Sequence, residues 1–269
     1  MTTLFLSNGR PIEYDCVGDG PALLLIPGLG NRRSIWTDLI DALSTEYTVV
    51  SYDLRGYCGD EPGSFSLQDL AEDAAAILER LRLSTVAVVG HSEGGFIALE
   101  LGLARPGAIA GLVIAASAAF TDEYGRHLLA HWREVAERIG SASLGRELLL
   151  WSLSPDYFNL QRRNLRLLQA LAERWPLPLD AYLAHNLACT QHDVRERISG
   201  LSIPTLLLGG TADIVMSLRH NELLRRLIAD SRLVNFQGVG HHLFVEAPTL
   251  VLTEVVSFLR QVFEYTGNK

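Results

Sequence analysis

Three residues far apart in the chain have the types needed for acyl transfer: Ser92, Asp213 and His241. A serine hydroxyl is a weak nucleophile until an imidazole takes its proton, and the imidazole in turn needs a carboxylate to fix its tautomer and stabilise its charged form. Ser92 stands in Gly90-His91-Ser92-Glu93-Gly94, directly after the apolar run Val86-Ala87-Val88-Val89. Small residues two before and two after the serine suit a sharp strand-to-helix turn, which forces the serine into a strained backbone conformation. A helix starting at Glu93 would aim its unpaired N–H groups and positive dipole end at the space where an oxyanion forms. Taken singly, each residue has a plainer reading. Glycine-flanked turns occur in many folds, a loop aspartate is usually a turn former, and a Gly-His pair is usually a surface turn.

The elements that must position these residues decide the matter. Ala22 to Ile26 is a continuous apolar run, the pattern of a strand buried on both faces in a parallel sheet, and the loop Pro27-Gly28-Leu29-Gly30-Asn31 follows it. A hairpin precedes it, from Leu4-Phe5-Leu6 through Asn8-Gly9 to Ile12–Val17. Helical spacing over Ser34–Leu43, a strand over Tyr47–Tyr52 and a serine-capped helix from Ser66 continue the alternation. The strand before Ser92, a helix to about Ala104 and a strand Gly111–Ala115 come next. Later, Thr205 to Leu208 leads through Gly209-Gly210-Thr211-Ala212 to Asp213, and Leu233 to Phe236 leads to Gly240-His241-His242. In a parallel sheet the C-terminal strand ends share one edge, so Ser92, Asp213 and His241 can converge there. His241 is read as the base in preference to His242, because Gly240 permits a tight loop before it.

Between about Phe120 and Ser199 the alternation lapses into consecutive helices, with breaks expected at Gly140, Gly145, Pro155, Pro176 and Pro178. This predicts a core made of residues 1–119 and 200–269, with a helical cap, 120–199, inserted before the acid strand. The cap carries Trp132, Trp151 and Trp175, and these are the substrate contacts the sequence suggests. Packing of cap helices on the core is the plainer role for aromatics.

The order Ser, Asp, His along the chain and the segments around it resemble the α/β-hydrolase fold family over nearly the whole length. Leu24 to Gly30 resembles the family's oxyanion-loop segment, Asp53-Leu54-Arg55-Gly56 its D-x-R-G segment, Gly90 to Gly94 its nucleophile elbow, and Gly209 to Asp213 its acid loop. Gly240-His241, followed by Glu246 and Pro248, is similar to its histidine segment. The resemblance implies an α/β fold with a mostly parallel sheet, helices on both faces and a helical cap. It also implies oxyanion donors at the backbone N–H groups of Leu29 and Glu93, and a serine hydrolase acting on a small to medium ester or lactone. Carbon–carbon bond hydrolases, perhydrolases and small-molecule receptors share the layout, and fold does not choose among them. Proline at Pro27 replaces a histidine common in relatives, and Glu93 puts a carboxylate next to the nucleophile, where a helix N-terminus favours it.

Composition narrows the remaining classes. The 269 residues carry a formal net charge of -8, and without a basic stripe nucleic acid is not an expected partner. Arg32-Arg33 and Arg162-Arg163 read as solvated pairs. Cys16, Cys58 and Cys189 are odd in number and widely spaced, which suits reduced thiols. His127 and His131 lack the glutamate of H-E-x-x-H, and Arg33 occupies the third glycine position of a dinucleotide fingerprint, so neither metal nor cofactor is expected. No stretch reads as a signal peptide or membrane span, and a cytoplasmic protein with a small-molecule substrate is expected. The quaternary state stays open, a homo-oligomer included.

Overall fold

The apolar runs become the strands of one sheet, seen in a computed structural model that describes residues 2–6 and 9–267. In chain order the strands are β1 (Thr2–Phe5), β2 (Pro11–Val17), β3 (Ala22–Ile26), β4 (Thr48–Tyr52), β5 (Val86–His91), β6 (Ile109–Ala115), β7 (Thr205–Gly210) and β8 (Ser231–Phe236). They lie side by side in the order β1-β2-β4-β3-β5-β6-β7-β8. Pairings made by β1 and β2 are antiparallel and all the others are parallel. The opening hairpin is present as β1 and β2; Asn8 lies outside the described residues.

Successive side chains on a strand point to opposite faces, and here both faces are covered. Leu24 and Ile26 of β3 join a core with Leu70, Ile77 and Phe96, whereas Leu23 and Leu25 join another with Trp36, Leu43 and Leu259. That double burial is why the central strands are apolar without alternation. The covering helices include α1 (Thr37–Leu43), α2 (Leu67–Leu81) and α3 (Glu93–Ala104). A 3₁₀ turn over Arg33–Trp36 replaces the first part of the helix expected from Ser34, because Asp53 Oδ1 takes the Arg33 backbone N–H at 2.7 Å and pins that end. α2 starts on Ser66 with a capping box: Ser66 Oγ accepts from Asp69 N, and Asp69 Oδ2 accepts from Ser66 N at 2.8 Å.

Between β6 and β7 the chain forms α4 (Glu123–Ser152), α5 (Pro155–Leu160), α6 (Arg162–Arg174) and α7 (Leu179–Thr190). A β-bridge between Phe120 and Asp193 closes the base of this insertion. Gly140, at φ 74°, kinks α4 as expected, but the helix runs on through Gly145. A Cβ at Gly145 would stand 2.8 Å from Cβ of Ala172, so this glycine lets α4 and α6 touch and breaks nothing. After β7 come α8 (Leu218–Leu227), the single turn α9 (Leu243–Glu246), which the sequence did not announce, and α10 (Pro248–Gly267). Among the described residues no helix is long and apolar enough to cross a membrane.

Candidate active site

Ser92 sits between β5 and α3 with φ 55° and ψ −117°, a conformation L-residues avoid at a penalty of about 1–3 kcal/mol. The surroundings impose it. A Cβ on Gly90 would collide with the Gly94 carbonyl oxygen, and one on Gly94 with that of Ile26, so the turn closes only around glycine. Ser92 N donates to Ala115 O at 2.9 Å, while the Ser92 carbonyl accepts from Ser117 Oγ and Gly95 N, each at 2.9 Å.

Asp213 follows β7 and is buried. Its Oδ1 accepts from the backbone N–H groups of Val215 and Met216, both at 2.8 Å, and its Oδ2 lies 2.9 Å from His241 Nδ1. Burial alone would raise the Asp213 pKa. The charge and hydrogen bond of His241, with the two backbone donors, outweigh burial and hold the carboxyl below its usual 3.8. His241 follows β8 on a loop fastened to the insertion: Ser152 O accepts from His241 N at 2.8 Å and from His242 N at 3.1 Å. Glu246 reinforces this, its Oε1 accepting from Gly240 N at 3.1 Å and from Ser154 N at 3.0 Å.

The His241 carbonyl accepts from Nε2 of His91, 2.9 Å away, which leaves His91 Nδ1 unprotonated. Burial, with the neighbouring His241, pushes His91 down to about 3, so it is a neutral strut under the histidine loop. His242 stacks on His91, with ring centroids 5.2 Å apart. Desolvation, then the imidazoles of His91 and His241, hold His242 well below its ordinary 6.5.

Ser92, Glu93, Leu29, His241 and His242 all line one cavity of about 920 Å³. The β3–α1 loop passes directly beside the nucleophile turn, since a Cβ on Gly28 would stand 3.0 Å from Cβ of Ser92. The far wall comes from the insertion and is mostly apolar, with Leu128, Leu148, Leu168, Leu171, Trp132 and Trp175. Trp151 is not among the residues that line this cavity. Its indole N–H donates to Glu147 Oε1 at 2.9 Å, and its ring packs edge-on to Trp132. Arg33 corrects the sequence reading: far from solvated, it is buried in ion pairs with Asp53 and, at 2.8 Å, Asp15. Arg32 does line the cavity and donates to the Tyr57 carbonyl at 2.6 Å.

Sequence reasoning missed the partners that hold the site. Nothing in the helical pattern of Leu179–Thr190 tells that His185 lands on Glu93, nor does anything near Ser152 announce a carbonyl that fixes the histidine loop. Only Glu246 carried a signal, through its segment's resemblance to relatives.

This arrangement of sheet, elbow and carboxylate–imidazole pair matches a known family. The alpha/beta hydrolase fold description covers residues 21–248, and the chain belongs to that family. It is a hydrolase. It is 32% identical over 231 residues to 3-oxoadipate enol-lactonase 1 of Acinetobacter baylyi, across 82% of this chain and 83% of the relative. It is 30% identical to the pimeloyl-[acyl-carrier protein] methyl ester esterase of Aeromonas hydrophila subsp. hydrophila, across 92% and 99% respectively. A solved hydrolase from Pseudomonas aeruginosa PA01 superposes with a TM-score of 0.87 at 25% identity, covering 96% of this chain and 97% of that one.

Proposed function

We propose that the protein hydrolyses a small to medium carboxylic ester or lactone through an acyl-enzyme on Ser92. His241 takes the serine proton and returns it to the leaving oxygen, Asp213 orients His241 and stabilises its charged form, and the N–H groups of Leu29 and Glu93 receive the oxyanion. Water, activated by the same imidazole, then releases the acyl group. The observation that carries this reading is the Asp213–His241 pair, 2.9 Å apart, with His241 lining the same cavity as the strained Ser92. The leucine-rich wall favours a substrate whose bulk is apolar, and Arg32 supplies a cationic side chain to the lining for a substrate that also carries an anionic group. Both curated relatives described above are named for cleavage of an ester linkage, one cyclic and one open, which supports ester chemistry over carbon–carbon cleavage.

The test is a fluorophosphonate, which phosphonylates an activated serine, followed by a turnover screen across aryl esters, enol-lactones and vinylogous diketones. Labelling is expected at Ser92 alone, with an acyl-enzyme mass on Ser92 trapped from the best ester. Labelling that persists in Ser92→Ala, or turnover confined to the diketones, would overturn the reading.

A further inference from the structure

Glu93 has a second connection that the chemistry above does not use. Its carboxylate is 1% exposed, and Oε1 lies 2.7 Å from Nδ1 of His185, a side chain on α7 with no exposed surface. On the other side of that ring, Nε2 lies 2.9 Å from the carbonyl oxygen of Arg55. A carbonyl can only accept, so His185 Nε2 carries a hydrogen, and the remaining proton is shared between Nδ1 and the Glu93 carboxylate. The ring cannot rotate freely, because Phe65 meets it edge-on at 4.7 Å and Tyr57 flanks it at 5.5 Å. The Arg55 end is anchored as well: the guanidinium of Arg55 pairs with Asp73 of α2 at 2.5 Å.

The result is a continuous brace from α2, through the Arg55 loop and α7 of the insertion, to the first residue of α3. That residue supplies the N–H beside the nucleophile. No side chain caps the N-terminus of α3; the Ser92 carbonyl, in the same peptide unit as this N–H, is held at 2.9 Å by Ser117 Oγ and Gly95 N, and the Glu93 side chain adds a second hold from outside the sheet core. A carboxylate buried this deeply persists only with a bound proton donor, and the donor here comes from the inserted helices, not from the sheet core.

We propose that Glu93 and His185 are a positioning pair, through which the inserted helix α7 holds the backbone N–H of Glu93 on the oxyanion. The inference rests on the Ser92 acyl-transfer reading. Neither side chain touches the reacting atoms. Loss of the brace lets the first turn of α3 drift, which weakens transition-state stabilisation while leaving the apolar cavity, and hence substrate binding, largely as it was.

The informative variant replaces the pair by apolar side chains of similar size, Glu93→Met with His185→Leu, since exchanging a buried ionic pair for packed hydrophobic groups often leaves stability unchanged or raised. Three quantities are read: thermal midpoint, the second-order rate of Ser92 labelling by a fluorophosphonate, and kcat against KM on an aryl ester. The double variant is expected to melt near the wild type yet label about tenfold to a hundredfold more slowly, with kcat falling alike and KM within roughly threefold. Glu93→Gln, whose amide N–H can donate to the unprotonated Nδ1 of a neutral His185, is expected to recover most of the loss seen in Glu93→Ala. A folded double variant that labels as fast as wild type overturns the positioning role, as does an equal loss in Glu93→Gln and Glu93→Ala. Failure of the wild type itself to label at Ser92 would instead remove the acyl-transfer reading.

Discussion

The molecule contains two carboxylate–imidazole pairs of nearly the same geometry, and they differ in what the second ring nitrogen meets. Asp213 Oδ2 and His241 Nδ1 are 2.9 Å apart; Glu93 Oε1 and His185 Nδ1 are 2.7 Å apart. In both, the carboxylate is buried and binds the same ring nitrogen. What separates them is the far side of the ring. His241 lines the cavity together with Ser92, whereas His185 spends Nε2 on the Arg55 carbonyl, 2.9 Å away. The residue types are therefore no guide to role; the occupant of the second nitrogen is.

The largest effect should come from breaking the Asp213–His241 pair. His241→Ala is expected to lower kcat a thousandfold or more, about 4 kcal/mol of transition-state stabilisation, while His242→Ala loses about tenfold or less. Asp213→Asn should fall into the same class as His241→Ala, because an amide cannot stabilise the imidazolium that forms. Saturating kinetics on one ester checks all three. If His242→Ala is dead and His241→Ala is near normal, the base has been misassigned and the comparison between the two pairs fails.

A smaller effect separates the cavity wall from the packing behind it. Trp132 and Trp175 face the cavity and Trp151 does not, so alanine at either of the first two should reorder substrate preference, by roughly threefold to thirtyfold in relative kcat/KM. Trp151→Ala should lower thermal stability and leave the ranking alone. A ranking that shifts most with Trp151→Ala would mean that the wall is shaped from behind.

Asp213 and His241 were legible in the sequence because each stands on the loop after an apolar run, and one-dimensional periodicity places strand ends on a common edge. Gly90 was legible for a related reason, since the atom it avoids is the Gly94 carbonyl oxygen a few residues on; Gly94 was legible only through its place in the serine motif, because the carbonyl it avoids belongs to Ile26 of β3. Gly145 was misjudged because its role is not local; the Cβ it avoids would meet Ala172 on another helix. The same holds for Arg33, whose acidic partners come from β2 and from the residue after β4, and for Glu93 and His185, which are 92 positions apart. Contacts between the insertion and the core follow neither period 2 nor period 3.6, so a reading by period finds the elements and misses what ties them together.

The last effect is read in stability and leaves catalysis at neutral pH aside: it concerns acid, and it sets both pairs against the imidazoles that have no carboxylate. His192 is buried against Phe96, ring centroids 3.9 Å apart, and its Nε2 donates to the Ala118 carbonyl at 3.0 Å. Burial pushes it down to about 4 from an ordinary 6.5. A histidine with a depressed native pKa binds its proton in the unfolded chain first, so its neutral form supports the fold fully above pH 6.5, and that support is lost as pH falls toward 4. Asp213 acts in a different window: its pKa lies below 3.8, so its contribution holds down to about that pH and is lost only in stronger acid. Between pH 7 and 4.5 the wild type should therefore lose stability through histidines such as His192, with Asp213 unaffected. His192→Gln keeps a donor for Ala118 but cannot take up a proton, and it should reduce the loss over that interval by roughly 2–3 kcal/mol at most. Urea unfolding of both proteins at pH 7 and 4.5 measures this, and equal losses in the two would show that other groups govern the acid limb.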